Sequence, residues 1–291
     1  MQQEQLGKLL RIGGAAATVG VVACVHAAAD LMPLGQIMAM RAAISGVLIL
    51  IYGLLVTQKA GLWPNRWRPH LVRGALACLA MLLSYVAFAR LPVAQAQTLM
   101  FLAPLIAVPL ATVQLGETLS KAALIGLGFG FVGTLFILGV SADLGPHAMW
   151  GAVCGIAAAV LVATIQITIR AMMATETAIS TALSFTLIVA VVSTASVLFG
   201  DWIWPQGEAL WILLSAGVFG ALNLVLFAES LARAPVSTLA PLDYTGLIWA
   251  LLADWLIFAV QPGGLSLVGS VLVTVGALIV VLQRKTSSAS A

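Results

Sequence analysis

Charge is what this sequence has least of. Only 8% of its 291 residues are Asp, Glu, Lys or Arg, where a soluble domain carries roughly 25%. With 62% hydrophobic residues and a mean hydropathy of +1.12, a water-soluble globular domain is excluded. Cysteine is scarce as well. Cys24, Cys78 and Cys154 fall singly inside apolar runs without CxxC spacing, which argues against a disulfide framework or a metal site. Histidine is limited to the widely spaced His26, His70 and His147. No HExxH, no Walker-type phosphate loop and no nucleophile–base constellation is present, so nothing points to an enzyme or a cofactor. The opening MQQEQLGKLLRIGG does not read as a cleavable signal segment, because its apolar run continues as a helix.

What is present is a succession of apolar runs of roughly 20 residues, each long enough to cross a bilayer. Read against their breakers, they predict ten helices at about 11–30, 35–57, 71–89, 92–114, 121–140, 148–169, 178–199, 209–230, 235–259 and 265–283. Pro33, Pro92 and Pro235 stand where helices begin, as proline is tolerated in a first turn. With a cytoplasmic N-terminus, the inner segments hold Lys8, Arg11, Lys59, Arg66, Arg68, Arg73, Lys121, Arg170, Arg233, Arg284 and Lys285. Only Arg90 lies in an outer loop, and Arg41 lies inside a helix. The positive-inside rule therefore places both termini in the cytoplasm. It also explains the basic pI near 9.0 without nucleic acid. DWIWPQGE, residues 201–208, becomes an outer loop with interfacial tryptophans.

The chain repeats itself. ARLPV at 89–93 returns as ARAPV at 232–236, an offset of 143 that also carries Arg90 to Arg233, Gly126 to Gly269 and Gly133 to Gly276. Two five-helix units result, residues 1–141 and 142–285, followed by a tail at 286–291. Five spans are an odd number, so the second unit enters the membrane from the opposite side. Inverted repeats of this kind mark secondary transporters that alternate between inward- and outward-open packings.

RGALACLAMLLSYVAFARLPVAQAQTLMFLAPLIAVPLATVQLGETLS (73–120) and its counterpart at 226–280, with A-P-V, P-L-D-Y-T and G-E elements, resemble the two repeats of the EamA-type drug/metabolite transporter superfamily. Within it the chain looks most like bacterial amino-acid exporters of the YddG type. One departure is local: the second repeat has Ala259-Val260 where Gly-Glu is usual. The resemblance covers nearly the whole chain. It implies an all-α, ten-helix protein of the bacterial inner membrane, a central cavity, alternating access and export of a small metabolite.

Polar groups at membrane depth are the candidates for that work. Asp243, beside Tyr244 and after the helix-interrupting Pro241, would bind an amino group or carry a coupling proton; the alternative is a residue reaching the cytoplasm. Tyr85, Gln95, Phe101, Gln166, Asn223, Tyr244 and Trp249 fall in helices three, four, six, eight and nine. Together they suit a pocket with apolar walls and a few hydrogen-bonding groups. Each taken alone is better explained by packing. Pro104 and Pro109 interrupt the fourth helix and leave carbonyls without partners, a situation tolerated where backbone lines a cavity. Arg41 lies at outer-third depth with His26, Asp30 and Asp254, so a pair with either carboxylate would form an outer gate or a static structural bridge. Exchanging the charges of Arg41 and Asp254 should partly rescue what each single change loses, and no rescue would discard the pairing. Gly126, Gly130 and Gly133, with Gly269 and Gly276 as mates, form small-residue faces for close helix packing or a weak homodimer contact. The dinucleotide-like spacing of GLGFGFVG is rejected because no strand precedes it.

An intramembrane enzyme would need an acid–base constellation, and a channel would need filter carbonyls or rings of charge; the repeat favours a carrier of a small solute, with or without protons. A cysteine placed at position 90 is expected to react with an impermeant reagent from the cell exterior, and one at 233 only from the interior. Labelling of both from one side would end the inverted-repeat reading.

Overall fold

A computed structural model describes residues 2–28, 31–57, 61–90, 99–138, 148–197, 202–256 and 263–282. They are helical apart from short turns, and no strand occurs among them. The helices are α1 (Gln2–Ala28), α2 (Leu34–Thr57), α3 (Trp67–Arg90), α4 (Ala103–Leu115), α5 (Lys121–Leu138), α6 (Ala148–Met172), α7 (Ala178–Val197), α8 (Glu208–Arg233), α9 (Val236–Leu239), α10 (Thr245–Leu256) and α11 (Gly264–Leu282). A 3₁₀ turn, Ala240–Tyr244, joins α9 to α10. Seven of the described stretches are long and apolar enough to cross a membrane by length and composition.

The outer surface is apolar. Val113 is 83% exposed, Leu55 78% and Trp204 73%. In water such a surface would drive aggregation; against lipid tails it is matched. This is a multi-pass membrane protein.

Four boundaries differ from the sequence reading. The helix expected to begin near residue 11 begins at Gln2, so Lys8 and Arg11 belong to its length, and both are 1% exposed. Likewise α3 begins at Trp67 and brings His70 and Arg73 into the buried interior. Partners on neighbouring helices, described below, make these burials affordable. The ninth helix is not one rod but the succession α9, 3₁₀ turn, α10. In the fourth, the interruption is a turn at Phe101 and Leu102, and α4 continues unbroken through Pro109.

Local chemistry sets the ends. Gly116 closes α4 with φ +65°, its N–H bonding to the Ala111 carbonyl. A left-handed cap of this kind favours glycine. Ala234 closes α8 in an extended conformation, as the proline that follows requires.

The bundle is cross-braced. α1 packs along α8, α3 along α6, α2 against α7 and α8, and α5 along α11, while α4 meets α6 and α1 meets α10. The α5–α11 crossing is close. A Cβ at Gly133 would lie 2.6 Å from the Gly269 carbonyl oxygen, and one at Gly269 would lie 2.5 Å from that of Gly133. Gly126 and Gly276 face each other in the same way at 2.9 Å. The Tyr244 ring sits where a side chain at Gly130 would be. A Cβ at Gly128, on the same helix, meets nothing within 4 Å.

Gly133→Val is therefore expected to destabilise the detergent-solubilised protein by about 1–3 kcal/mol, the usual range for overpacking. Gly128→Val should stay within a few tenths of wild type on packing grounds. Thermal unfolding of the two variants side by side measures the difference.

Candidate substrate site

The interruption between α9 and α10 organises the polar interior. Pro235 stands at the N-cap of α9, and the next two amides, of Val236 and Ser237, both donate to Glu117, at 3.0 and 2.9 Å. Gly116 turns the chain so that Glu117 reaches this point. A carboxylate on a helix N-terminus satisfies amides that no carbonyl can reach, and it opposes the helix dipole. Arg170 approaches Glu117 at 3.7 Å, and its Nη1 donates to the Leu231 and Ala232 carbonyls at the end of α8. The end of α4, the end of α6, the end of α8 and the start of α9 thus meet at one junction.

One turn further in lies Asp243, on the 3₁₀ turn. Arg11 grips it with two parallel bonds, Nε to Oδ1 at 2.5 Å and Nη2 to Oδ2 at 2.7 Å. The same Nη2 donates to Gln166 Oε1 at 2.9 Å, and Gln166 Nε2 donates to Asp243 Oδ2 at 3.3 Å. The Phe227 ring lies 3.8 Å from the guanidinium carbon. Arg11 is 1% exposed, while the Asp243 side chain is 19% exposed. Bidentate, charge-assisted bonding of this kind is the strong form of the ion pair, and it links α1, α6, α8 and the α9–α10 interruption. Lys8, one turn before Arg11, donates to the Val280 carbonyl at 2.8 Å.

Tyr244 is fully buried. Its hydroxyl donates to the Phe101 carbonyl at 3.0 Å, and the two rings stack with centroids 5.8 Å apart. Phe101 belongs to the turn that precedes α4. Tyr244 therefore supplies a partner to backbone that the helix leaves open ahead of Pro104, and Pro241 opens the 3₁₀ turn on the opposite side.

Of the pocket residues expected from sequence, the structure brings Gln166 and Asp243 together, and Phe101 and Tyr244 together. Asn223 stands apart, its amide donating to Thr18 Oγ1 at 2.5 Å and to the Gly14 carbonyl at 3.1 Å, which ties α8 to α1. Trp249 on α10 is 37% exposed. Gln95 and Asp30, and the side chains of Tyr85, His26 and Asp254, lie outside the described residues. Arg41 is described: it lines a cavity of about 340 Å³ between α2, α3 and α7, with Cys78, Met81 and Phe185.

Sequence reasoning passed over Arg11, Glu117, Glu176, His70 and Arg73. Glu176 receives the amides of Asn65 and Arg66 at 3.0 Å each, and so fastens the entry of α3. His70 Nδ1 pairs with Ser184 Oγ at 2.5 Å, and Arg73 donates to the Thr181 carbonyl at 2.8 Å. A signal for Arg11 was present. Gly7, Arg11 and Gly14 recur at helical spacing, and the glycines pack on Ala234 and Leu226, so the row faces a neighbour and not the cytoplasm.

Residues 5–139 and 149–282 each match the EamA-like transporter family. The chain belongs to the EamA-like transporter family. It is 26% identical over 266 residues to the pseudopaline exporter CntI of Pseudomonas aeruginosa, covering 90% of this chain and 91% of that one. It is 28% identical over 268 residues to a riboflavin transporter of Vibrio cholerae, covering 88% and 86%. An S-adenosylmethionine uptake transporter of Rickettsia bellii is 26% identical over 217 residues, covering 74% and 73%. A solved crystal structure superposes with a TM-score of 0.80 at 21% identity, over 94% of this chain and 95% of that one, so the fold is shared. The protein is accordingly a small-molecule transporter.

Glu117→Ala is expected to remove both amide partners at the start of α9 and to leave Arg170 without its carboxylate. Loss of a helix cap costs about 0.5–2 kcal/mol. Thermal unfolding should show that loss, and Glu117→Asp should fail to restore wild-type stability if two-oxygen reach to both amides is what matters.

Proposed function

We propose that the protein is a secondary transporter that exports an amino acid across the bacterial inner membrane by alternating access, with both termini in the cytoplasm. The observation that carries this reading is the buried polar constellation of Asp243, Gln166, Tyr244 and Arg11 at an interrupted helix. Non-helical backbone and ionised side chains are stable at membrane depth where they are buried in protein or line a polar cavity. Transporters commonly bind their solutes at discontinuous helices of this type. The relatives are named for pseudopaline, riboflavin and S-adenosylmethionine, so the choice of an amino acid rests on the site chemistry. That chemistry is a carboxylate for an ammonium group with an amide bonded beside it.

Alternating access by two inverted five-helix halves is supported by internal correspondences. Phe101 and Tyr244, which stack on each other, are 143 residues apart, the offset of the ARLPV and ARAPV stretches. The same offset carries Gly126 to Gly269 and Gly133 to Gly276, and the observed contacts pair Gly126 with Gly276 and Gly133 with Gly269. Exchange of the halves therefore converts one glycine contact into the other, as a twofold relation requires. The α1–α8 and α3–α6 packings exchange in the same manner.

In proteoliposomes, counterflow of a labelled amino-acid mixture is expected to saturate with substrate, as a carrier's does and a channel's does not. Asp243→Asn and Tyr244→Ala should each lower it about tenfold or more. Undiminished counterflow in both variants would remove the site from the mechanism.

A further inference from the structure

The constellation around Asp243 holds more cation chemistry than a carboxylate site for an ammonium group needs. Asp243 is already engaged: two of its bonds go to Arg11 and a third to Gln166. Arg11 is the more firmly held partner. It stands on the continuous helix α1, is 1% exposed, and is stacked on Phe227. Asp243 stands on a 3₁₀ turn between two short helices and keeps 19% of its side chain exposed. The guanidinium also has an unused donor, since Arg11 Nη1 is buried without a hydrogen-bond partner. A buried N–H left unpaired is costly, and a planar five-donor fork is matched best by a carboxylate. The neighbouring charges are committed elsewhere: Lys8 donates to the Val280 carbonyl, and Glu117 is held by the α9 amides and Arg170.

We infer that Arg11 is the anchor for the substrate's carboxylate and that Asp243 holds its place between substrates. A zwitterion takes the site by exchanging one internal ion pair for two external ones. Its carboxylate receives the Arg11 fork, including the unused Nη1, and its ammonium group meets the released Asp243 carboxylate. Charge is conserved at every stage without a proton entering or leaving. Gln166, which bonds to both partners, can stay with either. The inference rests on the amino-acid reading above and deepens it. The substrate must present both charges, and a solute with only one leaves a buried ion uncompensated.

The test uses the full-length protein in proteoliposomes. Counterflow of a labelled amino-acid mixture is measured against three competitors: the unlabelled amino acids, their C-terminal amides, and their N-acetyl derivatives. Amides and N-acetyl compounds should compete about 30-fold or more weakly, the loss expected when one member of a buried charge pair goes unmatched. Arg11→Gln should reduce counterflow by a similar factor. The deciding variant is the double substitution Arg11→Gln with Asp243→Asn. A neutral pair of similar size is often tolerated where a buried ion pair was, and its folding is checked by size exclusion and thermal unfolding. If the ion pair is only a structural brace, the double variant regains the transport lost by Arg11→Gln, and the anchor is overturned. If Arg11 is the anchor, the double variant folds and transport stays lost. Amides that compete as well as the acids also overturn it. Wild-type vesicles that exchange no amino acid overturn the amino-acid reading itself, and the anchor with it. Exchange that survives in the double variant removes both the anchor and the Asp243 ammonium contact, while amino-acid exchange by the wild type still stands.

Discussion

Inside a bilayer there is no water to satisfy a backbone amide, a carbonyl or a charge, so each must be bonded by protein. The interruption between α9 and α10 is a place where the interior of this transporter is arranged around that requirement. Breaking a helix there frees groups that a continuous rod would pair internally. The Val236 and Ser237 amides go to Glu117, the Leu242 carbonyl takes the Thr245 hydroxyl, and the Phe101 carbonyl across the gap takes the Tyr244 hydroxyl. Asp243 is bonded by Arg11 and Gln166. The partners come from α1, α6, the segment that follows α4 and the turn before α4, together with Thr245 next to the break. The interruption is therefore held by distant elements as well as by its own sequence.

Packing and polar bonding are joined at Tyr244. Association of helices in lipid depends on close van der Waals contact and hydrogen bonds, because burial of apolar surface gives little drive when the solvent is itself apolar. The α5–α11 crossing achieves that closeness with glycine on both sides. Gly130, on the same α5 row, leaves the space that the Tyr244 ring fills, and this seats the hydroxyl at the Phe101 carbonyl. A side chain at Gly130 would displace Tyr244, and through it the turn that carries Asp243. Small residues chosen for helix contact thus also set the register of the site.

The family, the helical class and the polar contacts of Asp243, Tyr244 and Gln166 were legible because they are announced by what is rare: an acid, a proline or a repeated motif in an apolar chain. Arg11 and Arg73 were not, because a basic residue near the start of a helix reads as a cytoplasmic anchor under the positive-inside rule. That rule counts charges without asking which face they occupy. The burial of Arg11 depends on Asp243, 232 residues away, and no local pattern encodes a pairing over that distance. Pro109 misled in the opposite direction. A proline was expected to break α4, yet the helix passes through it, and the interruption falls at Phe101 and Leu102, where Tyr244 supplies the missing partner. Propensity marks where a break is possible; a partner for the freed groups decides where it occurs.

The offset of 143 that relates Tyr244 to Phe101 carries Arg11 to Cys154, Gln166 to Ala23 and Asp243 to Met100. In the proposed duplication the halves share their shape and their stacked aromatic pair, but the Arg11–Asp243 pair has no charged counterpart. Two inverted halves with identical contacts would rest equally in either of two packings, so a difference between those packings must come from contacts that the repeat does not share. Breaking a buried ion pair costs about 3–5 kcal/mol when one partner is left alone, while reversing a two-state population from 1:99 to 99:1 takes about 5.5 kcal/mol. The Arg11–Asp243 pair is thus of the size needed to decide which packing is preferred. A solute that supplies both missing charges removes most of that cost, whereas a solute that supplies neither leaves it in place. In the proposed mechanism, selectivity for the solute and control of the conformational change would follow from the same two side chains.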